Sequence, residues 1–425
     1  MFNTRFEPQK GLPMASYLQR FDATPVAERW RLVRGWIFGE PLPFFEELRQ
    51  ERPILVMPEL TLAARFDDCT EILCRHEIFS VALYRPKQGD YWMDQDDTAI
   101  HWREKSIMLA ILDREDIPAI RTYVAKKAAT LLAAAGGSMD AVEGLTRAVP
   151  LALVQDWFGF SHSDPAKLRN WSYWNQIDTF WNQPFDAIAW PDPASIVAER
   201  EAANKEMVVY LVGLVALREG EFKIGLGGHD PISRLLALSS SKALKFDLKR
   251  VVLNVGGLLI GAVETTSHAV VNALEVLMKR PDDLADARAA AWNDDPAGVD
   301  GFVFEALRFK PAFPYFFRTC EQDAVLGRGA DYQTAIAKGT TVLAVTHSAM
   351  FDPKALSNPG DFDPKRGQGN QFHFGLGLHE CLGRAIGQVM IPEIVRQSLR
   401  LNDLRAGPVD RNGGPVPESW QWRWN

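Results

Sequence analysis

Residues 373–387 read HFGLGLHECLGRAIG, and this stretch restricts the fold more than any other part of the chain. It holds two of the eight histidines and one of the four cysteines, crowded by glycines, and it runs into a helical pattern. Glycines at 375, 377 and 383 permit positive φ and let the backbone approach something flat and large. A thiolate at Cys381, set before the unpaired N–H groups of a helix start, would accept hydrogen bonds and have a lowered pKa. That suits an anionic metal ligand. Two other readings of the same residues stand beside it. One is a buried free cysteine next to a glycine turn. The other is a zinc site shared with His373 and His379, for which no further ligands occur at suitable spacing.

The rest of the composition narrows the class. Hydrophobic residues make up 47% of the 425 positions and charged residues 24%, the balance of a soluble globular chain with a sizeable core. A net charge of −7 speaks against a nucleic-acid binder. Cysteines at 69, 74, 320 and 381 form no CxxC pair and no even framework, which points to a reducing compartment. The first residues lack the apolar core of a signal peptide, and the apolar run 251–263 is too short and glycine-rich to span a bilayer. A soluble, cytoplasmic protein without a membrane partner is expected.

No repeat or low-complexity linker divides the chain, so one domain over 1–425 is expected, mainly helical with minor strand. Residues 45–68 read as a helix end and two short strands around Pro58-Glu59. Residues 80–112 read as a long irregular aromatic loop, and the lysine, aspartates and glutamines of its 84–96 part are expected to be solvated. A helical pattern runs from Ile117 to Ala135. The longest helical candidate is 246–281, apolar nearly all round and closed by Pro281. Strand-like runs such as TTVLAV follow residue 320.

Spelled from Phe374 through Gly377 and His379 to Cys381 and Gly383, the glycine-rich stretch resembles the haem-binding signature of the cytochrome P450 superfamily. The resemblance implies the fold of that family, haem b as cofactor, Cys381 as axial thiolate to its iron, and Phe374, Gly375, His379 and Gly383 around the cofactor. Electron donation from such a thiolate favours O–O cleavage. Further motifs stand in the family's order. Glu305 and Arg308, three apart on one helical face, resemble its ExxR pair, with Arg366 of FDPKR as the third member of the network. Arg318 stands where such proteins place an arginine on a haem propionate. Residues 112–128 resemble the start of the helix over one haem edge, with Arg121 at the usual arginine. Ile117 replaces the frequent histidine there, and Arg114 and Glu115 replace a Pro-Pro pair. His101 or Arg103 is the candidate to supply the missing contact.

Within the long helical candidate lies GAVETT, residues 261–266. Gly261 and Thr265 stack one turn apart, so the missing side chain leaves room and the hydroxyl can bond back to the carbonyl at 261. By resemblance, Glu264 and Thr265 form the acid–alcohol pair that delivers protons and steadies oxygen, and Thr266 serves packing. The substrate contacts are expected among aromatic stretches: Tyr91 and Trp92 in the 84–93 loop, the segment 171–190, and Phe313 and Tyr315 before Arg318.

The resemblance implies a monooxygenase that hydroxylates or epoxidises a small-to-medium apolar or aromatic substrate. The glycine cluster 225–228 lacks the setting of a dinucleotide site, so electrons are expected from separate proteins, which the resemblance implies are a ferredoxin-type donor and its reductase. Arg384, Arg396 and Arg400 are candidates for their docking face. A peroxide-using enzyme and a haem-thiolate sensor are the alternatives; the Glu-Thr pair weighs against the first.

Overall fold

The computed structural model describes residues 15–186 and 192–425, so the last part of the aromatic segment 171–190 lies outside the described residues, as do residues 1–14. The fold is mainly helical with minor strand. Its centre is a set of packed helices, Ile117–Ala134, Glu264–Met278, Asp300–Phe309 and Arg384–Leu399. Residues such as Val124, Val270, Val271, Leu274, Val303 and Ile394 are fully buried between them. Among the described residues, no helix is long and apolar enough to cross a membrane.

Beside the helices lies a five-stranded sheet in the order Ile54–Val56, Thr61–Ala63, Thr341–Ala344, Phe316–Cys320, Phe79–Ser80. The first two strands pair antiparallel around the Pro58-Glu59 turn, with Ile54 opposite Ala63. Thr61–Ala63 then runs parallel to Thr341–Ala344, with Leu62 beside Leu343. Phe316–Cys320 pairs antiparallel with that strand and so carries Arg318 across from Val342.

Two sequence expectations change. The span 80–112 is not one irregular loop: a helix runs over Ala99–Ile111, capped by the Thr98 hydroxyl on the His101 N–H. The span 246–281 is not one helix either. It divides into Leu248–Ala262 and Glu264–Met278, with Val263 (φ −90°, ψ −68°) at the break. The longest helix is Pro193–Lys223. The glycine cluster 225–228 sits between that helix and Pro231–Ser239, with no strand before it.

Candidate active site

Cys381 and residues on either side of the helix break, Gly261, Ala262, Thr265 and Thr266, line one cavity of about 320 Å³. Its lining includes Gly261, Thr265 and Thr266 from the broken helix, Phe374, Gly375, His379, Cys381 and Gly383 from the cysteine loop, and Arg318 from the sheet. Gln176, Thr179 and Phe180 come from the helix Pro165–Trp181, and Tyr84, Gln88, Tyr91 and Asp94 from the segment ahead of Ala99–Ile111.

The cysteine loop is shaped by close backbone packing. Gly375 and Gly377 take φ of +70° and +75°, whereas Gly383, at φ −81°, does not need its glycine for that reason. A Cβ at Gly377 would stand 2.7 Å from the Leu73 carbonyl, so only glycine lets the loop lie on the end of the helix Phe66–Cys74. The Cys381 N–H donates to the Phe374 carbonyl at 2.9 Å, and Arg384 opens the next helix by donating to the Cys381 carbonyl at 3.3 Å. Burial pushes the Cys381 thiol up, contrary to the expected depression, while the Gly383 N–H, Lys105 and Arg384 oppose that rise. The neighbouring Phe374 ring fills the space a side chain at Gly387 would take.

The zinc reading does not hold. His379 bonds Asp96 at 3.2 Å and His373 bonds the Gln371 side chain at 2.7 Å. Among the described residues no group of three or more His, Cys, Asp or Glu is arranged to hold a metal ion.

The polar groups at the cavity edge fit a flat cofactor that carries carboxylates. Arg318 is buried, donates to the neighbouring Phe317 carbonyl, faces the Tyr84 phenol, and has no carboxylate partner among the described residues. An unpaired buried guanidinium is costly unless an anion joins it. Nδ1 of His379 and Nε2 of His101 are buried without partners. The two rings meet edge to face at 5.2 Å. Lys105, one turn beyond His101, donates to the Leu378 carbonyl of the cysteine loop. The helix Ala99–Ile111 therefore also flanks the cysteine loop, with its His101 and Lys105 at i and i+4.

That corrects the role expected of Arg121. Its guanidinium is bidentate on Asp300, at 2.6 and 3.1 Å, and it does not line the cavity. Ile117 packs at the core edge. Arg103, the other candidate for the missing contact, pairs with Glu104 at 3.0 Å. Glu104 is itself fully buried and is also held by Arg250 at 2.6 and 2.8 Å and by Asn254 at 2.7 Å. This buried pairing fixes the His101 helix to Leu248–Ala262.

At the break, three consecutive carbonyls are taken by side chains. Leu259 accepts from the Ser172 hydroxyl at 3.4 Å, Ile260 from Gln176 Nε2 at 2.5 Å, and Gly261 from the Thr265 hydroxyl at 2.8 Å. A Cβ at Gly261 would meet nothing within 4 Å, so the glycine opens onto the cavity. Thr266, expected only to pack, also lines the cavity. Glu264 points the other way. Its Oε2 binds the fully buried Arg147 at 2.9 Å, and Oε1 is buried without a partner. Arg147 also meets Glu143 at 2.5 Å and Glu418 at 3.2 Å. Burial raises the Glu264 carboxyl against the pull of Arg147, a cation it shares with two other carboxylates.

Arg308 is bidentate on Glu305 at 2.6 and 3.0 Å, both buried, and Arg366 adds a bond to Glu305 at 3.2 Å. Arg308 also donates to the carbonyls of Met350, Pro359 and Asp361, so the network clamps the chain leading to the cysteine loop.

The aromatic candidates divide by strand alternation. Phe316 and Arg318 face the cavity, whereas Tyr315 and Phe317 lie in a separate core cluster, so Tyr315 is no cavity contact. Trp92 is also removed: it is fully buried and packs on His101 at 5.3 Å. Phe313 lines the cavity, stacked on Trp181 at 5.5 Å. Tyr91 lines it too, seated so closely on the broken helix that a Cβ at Gly257 would come within 2.3 Å of its hydroxyl. The residues of this segment expected to be solvated are partly inside: Lys87 pairs with buried Asp178 at 2.7 Å, and Gln88 and Asp94 line the cavity. On the outer face Arg384 is exposed beside Glu380, but Arg396 is buried on the carbonyls of Ala291 and Asn293, so it belongs to no docking patch. Arg400, half-buried, donates to the same Ala291 carbonyl.

The Cytochrome P450 family model matches residues 113–289 and 299–406. The cytochrome P450 monooxygenase PikC of Streptomyces venezuelae is 27% identical over 66% of this chain, a match that spans 61% of PikC's own length. Cytochrome p450 CYP199A2 of Rhodopseudomonas palustris is 25% identical over 88% of each chain. The ligand-free structure of Mycobacterium smegmatis CYP164A2 superposes with a TM-score of 0.77 at 20% identity, covering 94% of this chain and all of that one, and so shares the fold. Proteins of this family use haem b. With the family model matching about two thirds of its length, and a cavity that brings Cys381, Arg318, His379 and Thr265 together, the chain belongs to the cytochrome P450 family.

Proposed function

We propose that the protein is a haem-thiolate monooxygenase acting on an apolar or aromatic substrate, with electrons from a separate ferredoxin-type donor and its reductase. The observation that carries this reading is that Cys381, the residues on either side of the helix break and an aromatic wall share one cavity. Cys381 would ligate the iron, and Arg318, His101, Lys105 and His379 would hold the propionates; the first three of these are strong or switchable donors at one edge. Haem bound through a thiolate supplies the capacity to activate dioxygen.

The chain's own residues account for the rest. The Thr265 hydroxyl, donating to the Gly261 carbonyl, keeps an acceptor oxygen toward the cavity and can hold water or oxygen there. Burial raises the Glu264 carboxyl, which favours its taking up a proton. It sits between the Arg147 network, whose Glu143 is exposed, and the cavity-facing Thr265. A turn of its side chain would move a proton from one side to the other. Tyr91, Phe180, Phe313 and Phe316 form apolar surface that excludes water and orients a flat or extended substrate.

The test is turnover with surrogate ferredoxin and reductase, using labelled dioxygen and a panel of apolar ligands selected by their spin-state shift. The expected result is ligand-dependent NADH oxidation with one labelled oxygen in the product. Binding without any product across the panel, or the same product from peroxide alone at equal rate, would overturn the reading.

A further inference from the structure

Asp94 is a buried carboxyl. It ends the short helical turn Trp92–Asp94, is only 2% exposed, and lines the cavity. Neither carboxyl oxygen has a hydrogen-bond partner among the described residues, and Oδ2 is wholly buried. The nearest cation, Arg85, does not pair with it: its Nε donates to the Asp94 carbonyl at 3.2 Å and its Nη2 to Asp96 at 3.1 Å. The other titratable groups facing it are the phenols of Tyr84 and Tyr91.

A buried acid without a partner costs stability, so its presence inside a binding cavity asks for a ligand group that satisfies it. The backbone here offers no such group, and the loop's one nearby guanidinium is engaged elsewhere. We infer that Asp94 is a specificity residue that receives a protonated amine on an otherwise apolar substrate, holding it by a charge-assisted hydrogen bond at the end of the cavity lined by Tyr91 and Gln88. This rests on the monooxygenase reading and narrows its substrate class to basic amines. The aromatic wall of Phe180, Phe313 and Phe316 would take the apolar body of the same molecule. Burial holds the Asp94 carboxyl up at about 7, so it ionises in the range where an aliphatic amine is still protonated.

The experiment compares two probes in the haem-loaded protein. One is phenylbutyl-dimethylamine; the other is its neutral carbon isostere, with CH in place of the protonated nitrogen. Dissociation constants are read from the low-to-high spin shift at about pH 8, between the two pKa values. The expected preference of the wild type for the amine is about 10- to 100-fold. Asp94→Asn, and Asp94→Leu as a second variant, should abolish that preference while leaving the isostere's binding within a few-fold. Equal binding of both probes to the wild type, or a preference that survives both variants, would overturn the assignment. So would an amine that ligates the iron, seen as a Soret shift to longer wavelength in wild type and variants alike. The reduced carbon monoxide spectrum of the same preparations keeps the two levels apart. A normal thiolate-haem band with no amine preference sinks only the role of Asp94, whereas absence of that band sinks the haem-thiolate reading and this inference with it.

Discussion

The side-chain amide of Gln176 donates to the carbonyl of Ile260 at 2.5 Å, one residue before the carbonyl that holds the Thr265 hydroxyl. A residue of one helix thus props open the helical ladder of another one residue from the Gly261–Thr265 bond. Gln176→Leu would leave that carbonyl unsatisfied beside the cavity, at a cost of about 1–3 kcal/mol. The holoprotein should melt earlier, and a larger share of reducing equivalents should end as peroxide, with KM for the substrate changing less than coupling. A drop in melting temperature with coupling intact would assign Gln176 to stability alone.

Thr265→Ala removes the hydroxyl on the Gly261 carbonyl. Dioxygen consumption should persist while product falls and peroxide rises, measured as product and peroxide per NADH. Unchanged coupling would contradict the role given to Thr265.

Arg147 and Glu264 should separate stability from chemistry. Arg147→Leu leaves Glu143, Glu264 and Glu418 without their shared cation and should cost about 3–5 kcal/mol in unfolding free energy. Glu264→Gln leaves Arg147 two carboxylates, so stability should change little. Product formation should slow and show a larger solvent isotope effect. Equal destabilisation by both substitutions would make Glu264 a structural partner only.

Two arginines and a histidine test where the propionate contacts lie. Arg318→Leu and His101→Phe should weaken haem retention, read by transfer of haem to apomyoglobin. Arg121→Ala should cost about 1 kcal/mol through its ion pair with Asp300 and leave haem transfer unchanged. Faster haem loss from the Arg121 variant would restore its sequence-based assignment.

The pH dependence of stability carries the mark of Asp94. Its folded value of about 7 lies above the ordinary 3.8, so its contribution favours the folded state at low pH and is lost as pH rises through about 7. Melting curves of wild type and Asp94→Asn between about pH 5 and 8 should therefore diverge, the wild type losing ground as pH rises. Parallel curves would mean that the carboxyl is not held up by burial.

The parts of the site readable from the chain were those carried by local spacing. Cys381 with its glycines, the Glu305–Arg308 pair and the Gly261–Thr265 turn each sit within one turn or loop, where sequence distance is spatial distance. The residues that escaped depend on register or on long-range contact. Tyr315 and Phe316 are adjacent, yet strand alternation sends them to opposite faces. Arg121 matched a motif position, but the helix that carries it packs on Arg384–Leu399 and delivers its charge to Asp300. A further neighbour of the cysteine loop lay in a stretch read as irregular because its aromatic and charged residues hide the helical period. A Thr98 cap followed by His101 and Lys105 one turn apart was the available signal. Arg147, Gln176 and Asp94 had no local signature, since their partners or their isolation arise only in the assembled fold.

The central claim is that the Cys381 sulfur, placed in the same cavity as Thr265 and Arg318, binds haem iron as a thiolate. Reduced protein under carbon monoxide reports this directly. The account predicts a strongly red-shifted Soret band in the wild type, lost in Cys381→His with haem still bound. A band at the position typical of imidazole-ligated haem in the wild type, or one unchanged by that substitution, would contradict it.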